Sequence, residues 1–133
     1  MNDLSEIAMR VLAELEEAYA ENVTSTMNTV LALRGDASEI SEISNSLREL
    51  VLEGLVRIAY ANAETGKLSI VSKAQSLADV EELSRRVSFK ATDQLWIWDK
   101  AFPRAQIMTT QSGLIRARQI LEQRGYQWWV KSP

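Results

Sequence analysis

Three groups of side chains carry the types and spacing needed to hold a polyanion or meet a base. Ser44-Asn45-Ser46, with Arg48 close behind, is the first. An asparagine amide can pair bidentately with an adenine edge, and serine hydroxyls bond base edges or phosphates. The same cluster reads equally as solvent-exposed polar surface near a helix start. Lys100 and Arg104 lie in Asp99-Lys100-Ala101-Phe102-Pro103-Arg104-Ala105, with Lys90 upstream. Cations so grouped suit phosphate contacts, although basic loop tips also serve solubility. Trp96 and Trp98 alternate in LWIW, where indoles on one strand face could stack on bases. Such a pair more often covers a core edge or a partner. Glu14, Glu16, Glu17 and Glu21 resemble paired carboxylates, but they fall on the polar face of a helix without a basic partner.

Composition removes most other chemistries. The chain has 133 residues and contains neither cysteine nor histidine. Disulfides, thiolate nucleophiles, imidazole bases and the usual zinc sites are therefore excluded. The five glycines, at 35, 54, 66, 113 and 125, form no phosphate-cradling loop. We expect no catalytic residues, cofactor or metal. A length of 133 residues suits a single domain spanning 1–133, with 46% apolar residues to build a core. No apolar run reaches the roughly 20 residues of a membrane span. Asp3 and Glu6 stand where a signal peptide would be basic, so a soluble, cytoplasmic protein without membrane contact is expected. The net charge of −3 is unevenly divided: 4 basic against 12 acidic side chains in residues 1–66, then 11 against 6. A basic second half fits a nucleic-acid surface, or two halves or subunits that complement each other.

Periodicity supplies the elements that position these groups. Leu4, Ile7, Ala8, Val11, Leu12, Leu15, Ala18 and Tyr19 predict an amphipathic helix over roughly 3–21, broken at Asn22-Val23-Thr24. Thr24 or Ser25 would cap a second helix through Met27, Val30, Leu31 and Leu33, ended by Gly35-Asp36. From Ser38 to Gly54 the pattern of Ile40, Ile43, Leu47, Leu50 and Val51 reads as one long helix, or as a short helix plus a second. Residues 55–60 and 67–71 predict strands around the turn 61–66. Ser76-Leu77-Ala78-Asp79 has capping-box spacing, followed by a helix burying Leu77, Val80, Leu83 and Val87. Its solvated face would pair Glu81 with Arg85 and Glu82 with Arg86. Leu95–Trp98 and a return from Ile107 predict a hairpin with a basic tip. A last helix begins near Thr110–Ser112 and ends at Gly125.

Two strings then carry a resemblance. Leu47-Arg48-Glu49-Leu50, followed three residues later by Gly54-Leu55-Val56, resembles the L-R-x-L-x-x-x-G-L-V run that closes the recognition helix of many winged-helix proteins. Thr110-Gln111-Ser112-Gly113 resembles the T-x-x-G after the wing in regulators of the MarR and PadR type. Thr109 replaces the leucine usual before that string, and 58–93 is longer than a plain wing approach. The resemblance implies a mainly α (α+β) winged helix with N- and C-terminal helices and a small hairpin wing. It implies a dimeric transcriptional regulator of double-stranded DNA, with Ser44, Asn45, Ser46 and Arg48 on the third helix and Lys100 and Arg104 on the wing. Leu12, Leu15, Tyr19, Trp128 and Trp129 would form packing or homodimer contacts. The alternative is a winged helix used for protein–protein association, its acidic third helix the partner surface and its tryptophans the anchors.

Overall fold

Helix α1 (Glu6–Ala18) starts where the Ser5 side chain accepts from the Ala8 N–H, and it buries Ala8, Val11, Leu12, Ala13 and Leu15. The computed structural model describes residues 3–126 and 128. The periodic pattern runs on past Ala18, but Tyr19 takes φ 63° and turns the chain out of the helix. A three-residue strand follows, β1 (Ala20–Asn22), where a continued helix was predicted. The turn is held from both sides: the Tyr19 N–H donates to Leu15 O, and its carbonyl accepts from the Thr109 N–H at 2.8 Å. These bonds offset the strain of a positive φ in a bulky residue.

Helix α2 (Val23–Val30) begins directly on β1, with Asn22 rather than Thr24 or Ser25 at the N-cap position and no side-chain cap bond. Helix α3 (Ala37–Leu52) is one uninterrupted helix. Its N-cap is Asp36, two residues before the predicted Ser38; Asp36 accepts from the Glu39 N–H, and Ser38 donates to the Asp36 carboxylate. Ile43, Leu47, Leu50 and Val51 are fully buried, as the periodicity requires. Gly54, at φ 74°, ends the helix and admits the turn into β2 (Val56–Ala61).

The main sheet is antiparallel, in the order β1-β6-β2-β3, with β3 (Leu68–Ile70) and β6 (Ala105–Thr109) pairing on either side of β2. Ile58 faces Ile107 across the centre, and Glu21 faces Ile107 on the other side. Helix α4 (Lys73–Glu81) starts four residues before the predicted box, with Ser72 as its cap. Ser76 and Asp79 are buried and do other work. Ser76 Oγ accepts from the Ile58 N–H, while Asp79 accepts from the Tyr60 hydroxyl at 2.8 Å and from Gln75. The helix stops at Glu82. One turn, α5 (Leu83–Arg86), leads into β4 (Val87–Lys90). Val87 thus begins a strand where the 3–4 spacing predicted a helix. The predicted i, i+4 pairs are absent: Glu81 meets Arg48, Glu82 meets Arg85, and Arg86 donates to the Tyr60 hydroxyl.

A second sheet is the ribbon of β4 with β5 (Leu95–Trp98). β5 therefore pairs backward with β4 and not forward with β6, which corrects the predicted 95–107 hairpin. Helix α6 (Gln111–Arg124) closes the described fold against α1. Thr110 caps it, accepting from the Gly113 N–H and donating to Gly54 O at 2.7 Å. A Cβ on Gly113 would strike Leu55 O, so this position must be glycine. The two strings that carried the resemblance thus meet each other, Gly54-Leu55 against Thr110–Gly113. The architecture is α+β, and no described helix is long and apolar enough to cross a membrane.

Candidate nucleic-acid interface

The third-helix residues divide. Ser41, Asn45 and Arg48 form an exposed stripe with Ser38 and Leu52, and Ser44 is half-buried beside it. Ser46 is only 4% exposed, and its Oγ lies 3.1 Å from Ser5 Oγ at the start of α1. It is a helix–helix contact, and its assignment to a base-reading surface is corrected. Three carboxylates of this helix, whose charge opposes a phosphate backbone, are engaged elsewhere. Glu39 is fully buried and accepts from the Gly35 N–H and the Trp96 indole. Glu42 accepts from Arg34 at 2.9 Å, and Glu49 from the Ser5 N–H at 2.9 Å. Arg48 reaches Glu81 at 3.4 Å, with both side chains more than half exposed, a pair worth little. Burial alone would raise the Glu39 carboxyl. The backbone N–H groups of Gly35 and Arg34 and the Trp96 indole outweigh it, so Glu39 stays below the ordinary carboxylate value.

Lys100 and Arg104 sit in the loop from β5 to β6, where the chain leaves the ribbon for the main sheet. They are exposed, but not at a hairpin tip. They border an open groove of about 490 Å³ between the ribbon and the first turn of α2. Thr24, Ser25, Lys90 and Trp98 complete its rim. Asp93 also lines it and pairs with Lys90 at 3.0 Å, which leaves Lys100 and Arg104 as the groove's cations with no ion pair to a described residue. Asn22, at the same wall, has an Oδ1 that is buried and accepts no hydrogen bond from the described residues.

The ribbon's place is set by two tryptophans with different fates. Trp96 is 3% exposed, packs edge-on to Phe89 with ring centroids 5.2 Å apart, and donates to Glu39. It is core, so its predicted option as a base-stacking platform is withdrawn. Trp98 is half-buried; its indole N–H donates to Phe102 O at 3.1 Å, and the residue lines the groove and a neighbouring cavity. Asn28 of α2 covers the outer edge of β5, its amide accepting from the Trp96 N–H at 2.7 Å and donating to Trp96 O at 3.0 Å. Nothing in the sequence pattern marked this residue, because side-chain pairing to a strand edge leaves no periodic trace.

Another feature lies just before the groove. Glu21 in β1 is pushed up to about 8 by burial, then by its hydrogen bond and charge repulsion with Glu14 of α1. This carboxyl stands one residue from Asn22.

The predicted packing residues belong largely to the chain's own core. Leu12 and Leu15 are fully buried under α6, so neither is available to a second copy. Trp128 is half-buried between Arg10 and Arg124, the latter 3.8 Å from its ring centroid. Tyr19 is exposed, and Trp129 lies outside the described residues. Helices α1 and α6 pack on each other, which fits the packing half of that expectation. Arg118 and Arg124 face α1 through Glu16 and Glu6, not α3. Among the described residues no group of three or more Asp or Glu could hold a metal ion. No family model, curated protein or solved structure matches this chain.

Proposed function

We propose that this chain is a winged-helix-type protein that binds double-stranded DNA as a transcriptional regulator, holding the phosphate backbone at the groove between α2 and the β4–β5 ribbon. The observation that carries this is the gathering of Lys90, Lys100 and Arg104 with the Thr24 and Ser25 hydroxyls around one open groove. Such groups contact phosphates and position a protein on a duplex without reading sequence. Trp96 borders the groove and bonds Glu39 in the first turn of α3, and the exposed stripe of Ser41, Asn45 and Arg48 lies on that same helix. Asn45 is then the base-reading candidate and Arg48 a phosphate contact. The junction of Gly54-Leu55 with Thr110–Gly113 supports the winged-helix assignment.

The protein-association alternative loses two of its proposed anchors, since Trp96 is core and Trp128 is covered by two arginines. Self-association stays within the proposal on narrower ground, the exposed Tyr19, Ile115 and Tyr126, and sedimentation velocity measures it. Fluorescence anisotropy of a labelled mixed-sequence duplex tests the DNA assignment. Saturable binding that weakens at least about tenfold in Lys100→Ala/Arg104→Ala is expected from two lost phosphate contacts. Absence of binding at about 50 mM salt overturns it.

A further inference from the structure

We infer that the groove between the outer edge of β5 and the first turn of α2 is built to take one unpaired nucleotide of a nucleic-acid strand, its base against Trp98 and its phosphate at Lys100 and Arg104. This rests on the nucleic-acid assignment above and narrows the form of nucleic acid the site prefers.

Four observations converge. The first is size: about 490 Å³ lies within the range of sites that hold small organic ligands, whereas a phosphate alone needs no such depth. The second is the aromatic wall. Trp98 is held by its indole N–H on Phe102 O, which fixes the ring while it borders both the groove and the cavity behind it.

The third is the strand edge. Asn28 pairs with both the N–H and the carbonyl of Trp96, so those groups point outward from the ribbon. In an antiparallel pair alternate residues turn the same way, so the N–H and carbonyl of Trp98 face that edge too. A base edge carries the same donor-and-acceptor pair as the Asn28 amide and could occupy the corresponding position at Trp98. The fourth is Asn22 Oδ1, a buried acceptor without a donor in the same wall. Buried polar atoms are normally satisfied, and an exocyclic amino group or a ring N–H of a base would satisfy this one.

The charges place the phosphate. Asp93 occupies Lys90, so the nucleotide's phosphate goes to Lys100 and Arg104, with the hydroxyls of Thr24 and Ser25 opposite. A base inside a duplex is stacked and paired, and it cannot enter without being extruded. A single strand offers its bases freely.

The test compares a mixed-sequence oligonucleotide as a single strand, as its duplex, and as an abasic strand of the same length, each by anisotropy against the full chain. The single strand should bind about 5- to 100-fold tighter than the duplex and the abasic strand, the range expected for one stacked base. Trp98→Leu should remove that advantage, while Trp98→Phe, which keeps an aromatic face, should retain most of it. Circular dichroism establishes that both variants fold. Equal binding of all three probes, with Lys100→Ala/Arg104→Ala still weakening them, overturns the unpaired-nucleotide site and leaves the phosphate contacts standing. Binding of no probe removes the nucleic-acid assignment itself. A free mononucleotide that competes as strongly as the strand overturns the strand contact in favour of a small effector.

Discussion

At the scale of single residues, the carboxylates of this chain are more specialised than their number implies. Glu39 is a buried acceptor that ties the start of α3 to the ribbon through the Gly35 N–H and the Trp96 indole. Its lowered value means that its contribution is present above the ordinary carboxylate value of 4.5 and is lost as pH falls through the folded value. Glu39→Ala should cost about 1–3 kcal/mol in urea denaturation by stranding those donors, whereas Glu39→Gln should cost less because it keeps an acceptor. Glu21 has the opposite sign. Its folded value is raised to about 8, so between 4.5 and about 8 the folded state holds a proton that the unfolded state has lost. Stability from this group therefore falls as pH rises through that window. Glu21→Gln should melt closer to wild type at about pH 5 and above it at about pH 9; a parallel offset at both values would show that the raised Glu21 value is not the cause. The sequence offered both residues only as members of a polar face. Burial and partners separated them, and those depend on which elements come together.

Elements held by local pattern were legible, and those held by distant partners were not. The buried stripe of α3, the glycine that ends it and the threonine cap of α6 follow from spacing and side-chain chemistry within a few residues. β1 has three residues, AEN, with no alternation to mark it, and it exists because β6 lies alongside. β4 was hidden in a helical spacing that continued from Leu83 to Val87. The ribbon's direction was missed for the same reason: a strand's identity can be read from its residues, but its partner cannot. Asn28 shows how such an element is held. Its amide satisfies one residue of an edge strand that has no third strand beside it. Asn28→Ala should leave the Trp96 N–H without this partner, cost about 1–2 kcal/mol, and speed hydrogen exchange at Trp96 while amides in β2 and β6 stay protected. Uniform acceleration across both sheets would show that the ribbon is not an independent unit.

Across the whole molecule, the uneven charge seen in the sequence is only partly a field. Arg34, Arg48, Arg85, Arg118 and Arg124 are each paired with a carboxylate, and Arg86 is drawn into the Tyr60–Asp79 contact. At the groove, Lys100 and Arg104 are left without an ion pair, facing α2 across it. The sequence named both residues but assigned them to the tip of a hairpin that does not form. The most direct measurement is the salt dependence of duplex affinity, taken between about 50 and about 200 mM, for wild type and for Lys100→Ala/Arg104→Ala. Two phosphate contacts should steepen the plot of log affinity against log salt by about 2 relative to the variant. Equal slopes for the two proteins would contradict a phosphate-binding groove at this position.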